Sequence, residues 1–423
     1  MEYRTRSAAL ASGWRTAWKA LAILACAAVV ACNGAEVTPT SSGAATPTPP
    51  VVVSATETPG VTDDAVLFGQ SAAFSGPAQE LGRGMRLGIR AAFQEVNESG
   101  GVNGRRIDLV SLDDTYEPEL AIQRTLHLIE AEEVFALIGA VGTPTSRSAT
   151  PIAKSAGVPY IAPFTGAEFL RGADLDNVIN LRASYYQETE EMVARLTSEL
   201  GFTRIAVLHQ DDSYGRAGYQ GALLALERRG MEPVSIGVYP RNTTAVKTAV
   251  LDLQRGNPQA VIMIGAYEPV ARAVSWALRI GMESVFMNVS FVGSNALAEE
   301  LGDDGAGVFV TQVVPYPTDD SLPVVASYLE ALAAYDSEAV PGFVSLEGYL
   351  AGRLAISGLE LCGTEVSREC FLDAIRNAGD IDIDGFSLLY GSGDNQGSDT
   401  VFLTVIGQDG GVHAAASLGD PVP

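Results

Sequence analysis

The feature that most constrains the fold of this chain is a repeated alternation of short apolar runs and amphipathic helical patterns from residue 65 onward. One helical pattern carries Leu81, Met85, Ile89 and Phe93 at spacings of four, as expected for one face of a helix. The apolar runs between such patterns have the length and composition of strands buried on both faces. This order predicts an α/β fold in which parallel sheets carry helices on both faces.

The alternation runs twice, on either side of an extended piece at 177–182. The first round predicts strands 66–71, 107–112, 135–140 and 160–162, and helices 79–97, 118–132 and 145–156. The second predicts strands 205–208, 234–239, 260–265, 284–292 and 308–314, and helices 187–200, 214–229, 245–255 and 269–280. The similar order in both rounds indicates two similarly built lobes whose strand ends face a shared cleft.

Residues 204–221, RIAVLHQDDSYGRAGYQG, illustrate the unit. The apolar run ends at a polar stretch in which Ser213 is the predicted N-cap of the next helix. Tyr214 therefore lies at a strand-to-helix junction, where ligands bind in open α/β sheets. The alternative is an ordinary turn whose tyrosine packs on a neighbour.

The order changes after residue 314, where helices are predicted at 322–335, 343–361 and 367–377. Two short strands at 386–390 and 400–407 are interpreted as a closing hairpin. Because late helices cannot extend the second sheet, the chain is expected to cross back to the first lobe and then return.

The N-terminus has the pattern of an export signal. A basic segment precedes the apolar run LAILACAAVVA at 21–31, which is short for a membrane span, and Cys32 follows. This ending resembles the bacterial lipobox, in which the cysteine is lipidated and becomes the new N-terminus. The alternative is a plain signal peptide with an accidental cysteine.

The segment 32–64 is rich in Thr, Pro, Ser, Gly and Ala and has no helical or strand period, so it is predicted to be a flexible tether. The formal net charge is −24, which argues against nucleic acid as a partner.

Cys362 and Cys370 are the two cysteines that follow the predicted tether. In an exported protein such a pair usually forms a disulfide. A metal site is the weaker alternative, because no histidine or third cysteine lies nearby. No metal and no cofactor are expected.

Four motifs, in order, resemble the leucine/isoleucine/valine-binding protein family of solute-binding proteins from bacterial ATP-driven (ABC-type) importers. They are FSGPA at 74–78 with Gly82, GGVNGR at 100–105 with Asp113 and Asp114, DSYGRAG at 212–218, and LEGY at 346–349. The resemblance covers residues 65 to about 413.

The resemblance implies the type I periplasmic-binding-protein fold: two doubly wound parallel-sheet lobes joined by a three-crossover hinge. Its boundaries would be a lipoprotein signal peptide at 1–31, the tether at 32–64, lobe 1 at 65–184 plus 316–379, and lobe 2 at 185–315 plus 380–415. It also implies that the protein is not an enzyme.

For lobe 1, the resemblance places Ser75, Thr143, Phe164 and Thr165 at the ligand. Thr143 precedes Pro144, which suits the first turn of a helix, and a hydroxyl at a helix N-terminus favours a carboxylate. The alternatives are a plain N-cap at Thr143 and a plain turn at 163–166. The alignment leaves Phe164 and Thr165 ambiguous by one residue.

For lobe 2, Tyr214 and Tyr267 match two cleft tyrosines of the family, with core packing as the alternative for each. Asn295 lies where amino-acid-binding members carry a glutamate against the ligand's ammonium. A buried ammonium needs a negative partner. Either Asp113, Asp211 or Asp212 replaces that glutamate, or the ligand lacks a free ammonium.

The function predicted from these features is capture of a small amino acid, amide or carboxylate by a monomer, anchored to the cell envelope by lipid and facing the periplasm or cell exterior. The bound solute would pass to an ABC permease. A module that feeds a signalling partner is the alternative, which the neighbouring genes would distinguish. An enzyme is disfavoured, because His127, His209 and His413 fit no predicted Ser-His-Asp arrangement.

Overall fold

A computed structural model describes residues 58–423, so the signal peptide, Cys32 and most of the predicted tether lie outside the described residues. Residues 58–64, which the sequence assigned to the tether, already contact the first sheet. The Leu67 amide donates to the Gly60 carbonyl at 2.8 Å, and Val61 bridges to Val66. Among residues 58–423, no helix combines the length and hydropathy needed to cross a bilayer.

The first sheet has five strands in the order β2-β1-β3-β4-β5, all of them parallel. The strands are β1 (Ala65–Ala72), β2 (Arg106–Asp113), β3 (Ala136–Ile138), β4 (Tyr160–Ile161) and β5 (Val178–Ile179). The helices that connect them are α1 (Gln79–Glu98), α2 (Pro118–Glu130) and α3 (Thr143–Ser155). This sheet and the helices on it form the first lobe.

The second sheet has seven strands in the order β14-β13-β10-β9-β8-β6-β7. The strands are β6 (Ile205–Gln210), β7 (Ile236–Tyr239), β8 (Ala260–Ile264), β9 (Val285–Asn288), β10 (Phe309–Gln312), β13 (Phe402–Ile406) and β14 (Val412–Ala414). The helices are α4 (Tyr185–Ser198), α5 (Ser213–Glu227), α6 (Lys247–Arg255), α7 (Tyr267–Arg279) and α8 (Ser294–Leu301). These elements form the second lobe, in which only the β10–β13 and β13–β14 pairs are antiparallel.

The chain passes between the two sheets three times. It first crosses between β5 and α4, and it returns after β10 to form α9 (Pro323–Tyr335), α10 (Phe343–Cys362) and α11 (Arg368–Asn377). Helices α9 and α10 pack on α1, and β11 (Asp380–Ile383) with β12 (Phe386–Leu389) follows before the third crossing to β13. This confirms the predicted fold of two α/β lobes with a three-crossover hinge, while the residue boundaries of the lobes stay a prediction.

Glycines bring α1 and α10 close together. A Cβ atom on Gly88 would lie 1.9 Å from the Ser345 carbonyl oxygen, and one on Gly348 would lie 2.4 Å from that of Met85. Any side chain at either position would force the helices apart. The apolar face predicted for α1 is buried here, and burial of each large side chain stabilises the fold by about 1.5–3 kcal/mol.

The predicted closing hairpin between 386–390 and 400–407 is wrong. Strand β12 pairs with β11, whereas β13 pairs with β10 and β14. The reason lies in the two-residue turn between β11 and β12, where Asp384 and Gly385 have φ of 49° and 87°. An Asp-Gly pair with positive φ at both positions favours a tight hairpin.

A disulfide joins Cys362, the last residue of α10, to Cys370 in the first turn of α11. The Cα atoms lie 5.9 Å apart, which is within the range that disulfides span. The bond closes the turn between the two helices.

We expect peptide mass spectrometry of the unreduced protein to recover Cys362 and Cys370 in one cross-linked species. The double variant Cys362→Ser/Cys370→Ser should lose about 2–3 kcal/mol of unfolding free energy, because the open loop has more freedom in the unfolded chain. Two freely alkylatable thiols in the natively purified protein would contradict the pairing.

Candidate functional site

Two of the predicted ligand residues, Thr143 and Thr165, lie at strand ends of the first lobe and contact each other. The hydroxyls of Thr143, at the start of α3, and Thr165, after β4, are 2.6 Å apart. The Thr165 hydroxyl also lies 3.2 Å from that of Tyr185, at the start of α4. All three residues are buried. Their three hydroxyls form a buried cluster at the N-terminus of α3, an arrangement that favours an oxygen-rich or anionic ligand.

Phe291 lies at the centre of a set of aromatic rings from both lobes. Its ring centroid is 4.5 Å from Tyr214, 5.4 Å from Phe164 and 6.1 Å from Tyr116. Tyr185 lies 5.5 Å from Tyr214. Each of these side chains is at most 1% exposed. We call these five residues the interlobe aromatic cluster.

Tyr214 reaches the cluster because the first turn of α5 is held tightly against β6. The predicted N-cap Ser213 is wrong: Asp212 is the N-cap, and its Oδ1 accepts from the amides of Tyr214 and Gly215 at 2.9 and 3.0 Å. A Cβ atom on Gly215 would lie 1.8 Å from the Gln210 carbonyl oxygen. The Asp-Ser-Tyr-Gly sequence therefore fixes the direction of the tyrosine.

Burial and hydrogen bonding give the two neighbouring aspartates of the first lobe opposite pKa shifts. Burial raises the pKa of Asp114 to about 6, although the Ser71 hydroxyl at 2.7 Å opposes it. For Asp113, burial acts in the same direction but is outweighed, and hydrogen bonds from Ser75 and from the amides of Phe74 and Thr115 lower its pKa. Asp113 thus positions the loop before α1.

A buried ion triad that the sequence did not indicate adjoins the aromatic cluster. It consists of Arg182, on the first crossover, Glu188 in α4, and Glu347 in α10. The Arg182 guanidinium carbon lies 4.7 Å from the centre of the Phe164 ring. Its Nη2 and Nη1 lie 3.6 Å and 3.5 Å from Glu188 and Glu347. The one charged residue between β5 and α4 was the available signal.

Glu188 connects this triad to the second lobe. Its carboxylate accepts from the Ser290 amide at 2.7 Å, the Ser290 hydroxyl at 3.0 Å and the Thr311 hydroxyl at 2.6 Å. Arg182 also donates to the Ser290 hydroxyl. Burial would lower the pKa of Arg182, but Glu347 and Glu188 outweigh it and raise that pKa. Arg182 therefore stays a cation inside the protein.

The structure does not bring three predicted site residues into this cluster. Ser75 is half-buried, and its hydroxyl donates to Asp113 at 2.6 Å. Tyr267 is buried near Gly293, and burial raises its pKa to about 12. Asn295 is exposed, and its amide donates to the Pro341 carbonyl at 3.3 Å. It lines a separate groove of about 410 Å³ between the lobes.

Asn295 lies outside the cluster because of the turn that precedes it. Residues Ser290–Val292 form a short 3₁₀ helix, and Gly293 has a φ of 80°. This turn directs Phe291 inward, and position 295 then falls on the outer side of α8. The three aspartates proposed as replacements differ in exposure. Asp211 is exposed, Asp113 is half-buried, and Asp212 is buried and engaged as the N-cap of α5.

The rim of the cleft carries polar contacts between the lobes. Arg241, after β7, pairs with Glu117 at 2.7 Å and donates to the Tyr116 carbonyl at 2.8 Å. Asn242 donates to the same Glu117 carboxylate at 2.6 Å. Arg241 also lines a groove of about 670 Å³ to which both lobes contribute, together with Arg147 and Arg216. In this conformation the lobes are closed on each other.

Comparison with known proteins supports this fold. Residues 66–411 match the family model described as "Periplasmic binding protein". A crystal structure of a possible leucine/isoleucine/valine-binding protein from Rhodopirellula baltica SH 1 has a TM-score of 0.80 and 39% identity, and the match covers 86% of this chain and 98% of that one. The family resemblance drawn from the four motifs is thereby confirmed.

Curated relatives carry related names. The "Leucine-, isoleucine-, valine-, threonine-, and alanine-binding protein" of Pseudomonas aeruginosa is 23% identical over 74% of this chain and 82% of its own length. The "Leu/Ile/Val-binding protein homolog 7" of Brucella abortus (strain 2308) is 29% identical over 45% of this chain. The match covers about half, 49%, of that relative's own length.

The variant Arg241→Gln should populate more open conformations, because it removes an ion pair that exists only when the lobes are closed. The pair is partly exposed, at 23% and 36%, so the closing equilibrium should weaken by about 0.2–1 kcal/mol, roughly 1.5- to 5-fold. Small-angle scattering would show a larger radius of gyration.

Arg255→Gln is the matched control, since Arg255 pairs with Asp252 within α6 of the second lobe. It should leave the scattering curve unchanged. Identical curves for both variants would show that the contacts of Arg241 do not hold the lobes together.

Proposed function

We propose that this chain, which belongs to the periplasmic binding protein family, is the solute-binding component of an ABC-type importer. It captures a small carboxylate, amide or amino acid between its lobes and delivers it to a membrane permease. It works as a monomer and catalyses no reaction. Opening and closing of the lobes about the three crossovers gives the solute access.

The interlobe aromatic cluster is the observation that carries this proposal. Phe164 and Tyr116 belong to the first lobe and Tyr214 and Phe291 to the second, and their rings meet at distances of 4.5 to 6.1 Å. Aromatic walls suit an apolar solute body, and a few placed polar groups fix its orientation. When the lobes separate, these rings come apart and a solute can enter between them.

The buried hydroxyls define the polar end of the site. Thr143 and Thr165 share a hydrogen bond at 2.6 Å, and Thr143 is the first residue of α3. A ligand carboxylate or amide oxygen there would accept from these hydroxyls and gain from the helix dipole. The relatives named for leucine, isoleucine and valine bind solutes of this class, a carboxylate with an aliphatic body.

Asn295 does not decide whether the solute can carry an ammonium group. Since that side chain is exposed and bonded to Pro341, the asparagine neither excludes nor selects an ammonium at the aromatic cluster. The carboxylates of Glu188 and Glu347 adjoin the cluster through Arg182, whereas those of Asp114 and Asp212 accept from the backbone amides of Tyr116 and Tyr214. The ligand's charge is therefore decided at the ion triad.

We expect a thermal-shift screen of amino acids, small carboxylates and their amides to find a stabilising ligand. A ligand at 100 times its Kd would add about 2.7 kcal/mol to the unfolding free energy. The variant Thr143→Val keeps the shape but removes the hydroxyl, and its Kd should rise by about 5- to 100-fold, on the order of 1–3 kcal/mol.

Thr150→Val is the control, because Thr150 is a buried threonine on the same helix whose hydroxyl donates to the Ser146 carbonyl at 2.9 Å. It should alter stability without changing affinity. Equal affinities of the two variants would place the solute away from the start of α3.

Lipid attachment at Cys32 is the second part of the proposed role. The apolar run that ends VVAC, followed by a Thr- and Pro-rich segment, supports it. The lipid would hold the binding domain at the cell envelope, and the tether would leave it free to reach the permease.

The variant Cys32→Ala should lose labelled fatty acid and leave the membrane fraction, because the acylated residue is gone. Cys26→Ala is the control, since Cys26 lies within the signal and should be dispensable for acylation. Full labelling of the Cys32→Ala protein would contradict the anchor.

A further inference from the structure

The Arg182 guanidinium has donors without acceptors, although it is fully buried. Among residues 58–423, its Nε and Nη1 atoms have no hydrogen-bond partner, whereas its Nη2 donates to the Ser290 hydroxyl. Buried polar groups are nearly always hydrogen-bonded, and an unmade bond of a charged group costs several kcal/mol. Because Nη1 lies on the side of Cδ, whereas the Nε–H bond points to the side of Nη2, Nε and Nη1 are two separate open donors.

The two open donors of Arg182, Nε and Nη1, belong to the solute site. The Arg182 guanidinium stacks over Phe164, a member of the interlobe aromatic cluster, at 4.7 Å. Phe164 is followed directly by Thr165, whose hydroxyl bonds to Thr143 and Tyr185. The open donors of Arg182 therefore lie beside both the aromatic walls and the polar end of the site.

The two glutamates of the triad are held differently. Glu188 accepts three hydrogen bonds from Ser290 and Thr311 and is fixed to the second lobe. Glu347 accepts no hydrogen bond from the described residues and holds Arg182 only by an ion pair at 3.5 Å, outside good hydrogen-bond geometry. Burial raises the pKa of Glu188 as well, but Arg182 and the hydrogen bonds from Ser290 and Thr311 oppose the rise. Glu188 is therefore the fixed counter-ion of Arg182, and Glu347 is the replaceable one.

We propose that Arg182 binds the carboxylate of the solute through its Nη1 atom, the open donor that faces Glu347, and that Glu347 takes up a proton as the solute replaces it. The proton comes from solvent, no covalent bond changes, and the buried site keeps the same net charge before and after binding. This inference rests on the proposed function and deepens it, since it assigns the solute to the carboxylates rather than the amides.

The surroundings of Glu347 suit this exchange. Burial raises its pKa to about 7, with Arg182 and Arg171 opposing and Glu188 reinforcing the rise. A second carboxylate on Arg182 would raise the pKa of Glu347 further, because like charges in one buried site cannot both persist. Proton uptake near neutral pH is then the least costly way to admit an anion.

The same shift has a consequence for stability. Because the pKa of Glu347 in the folded protein lies above its usual value of 4.5, its contribution to folding is complete below pH 4.5 and is lost as the pH rises through about 7. Solute binding favours the protonated form of Glu347, so affinity should also fall as the pH rises.

The test is calorimetric titration with 4-methylpentanoate and its amide, 4-methylpentanamide, and with benzoate and its amide, benzamide. Leucine is titrated without its amide, because the α-amino group of an amino acid amide itself titrates near pH 8. For the wild type, affinity for the acid should rise up to about tenfold between pH 8 and pH 6, while affinity for the amide stays constant. These acids are ionised throughout that range, so the change belongs to the protein.

The variant Glu347→Gln removes the titrating group and keeps its shape. Its affinity for the acid at pH 8 should reach the wild-type value at pH 6 and lose its pH dependence, and the acid-to-amide ratio should rise by up to about tenfold. Glu360→Gln is the control, because Glu360 is exposed on the same helix, and it should retain the wild-type profile.

The variant Arg182→Lys tests the guanidinium itself. Lysine keeps the charge but cannot place a donor where Nη1 lies beside Glu347, so acids should lose affinity while amides do not. If circular dichroism shows that this variant does not fold, the Glu347→Gln measurement decides alone.

A purely structural hinge role for the triad would change the affinity for acid and amide alike. An unchanged acid-to-amide ratio in Glu347→Gln, with solute still bound, therefore overturns the role of Arg182 and leaves the proposed function intact. Binding of none of these acids or amides contradicts the proposed function and this inference together.

Discussion

The parallel order of the strands is the constraint on which the rest of this structure depends. In each sheet, right-handed strand-helix-strand connections bring the carboxyl ends of the strands to one edge, so that every strand-to-helix junction faces the same way. Thr143, Thr165 and Tyr214 all occupy such junctions, and the three crossings of the chain bring the junctions of both lobes together. A site between the lobes follows from topology before any side chain is considered.

Side chains then determine what this site can hold. Aromatic rings from both lobes close it with little cost, because burial of apolar surface is favourable. A guanidinium and two carboxylates beside these rings are costly, since each loses its hydration. Three hydrogen bonds to Glu188 offset part of this desolvation cost, whereas Arg182 and Glu347 are left with weak partners. The incomplete pairing of the charged Arg182 side chain, beside rings from both lobes, is why we assign it a binding role.

Much of the fold was predictable from the sequence, because the local spacing of apolar residues distinguishes strands from helices. The spacing of Leu81, Met85, Ile89 and Phe93 identified the buried face of α1, and the junction at Tyr214 follows from one apolar run and one helix start. The β11–β12 hairpin was also encoded locally, by Asp384-Gly385, but the interpretation favoured a longer loop.

The site was less predictable, because its members meet through tertiary contacts. Phe291 follows a strand and could not be told from a core residue, although it contacts three rings of the cluster. The triad joins a crossover, α4 and α10, which no local pattern relates. Asn295 lies away from the cluster for the same reason, since a 3₁₀ turn and one glycine of positive φ set which way it points.

A crystal structure of the protein with its bound solute tests the central claim most directly. The account predicts electron density between the lobes, with the solute's polar end at Thr143 and Arg182 and its apolar body against Tyr214 and Phe291. Density confined to the rim groove beside Arg241, or to the groove beside Asn295, would contradict it.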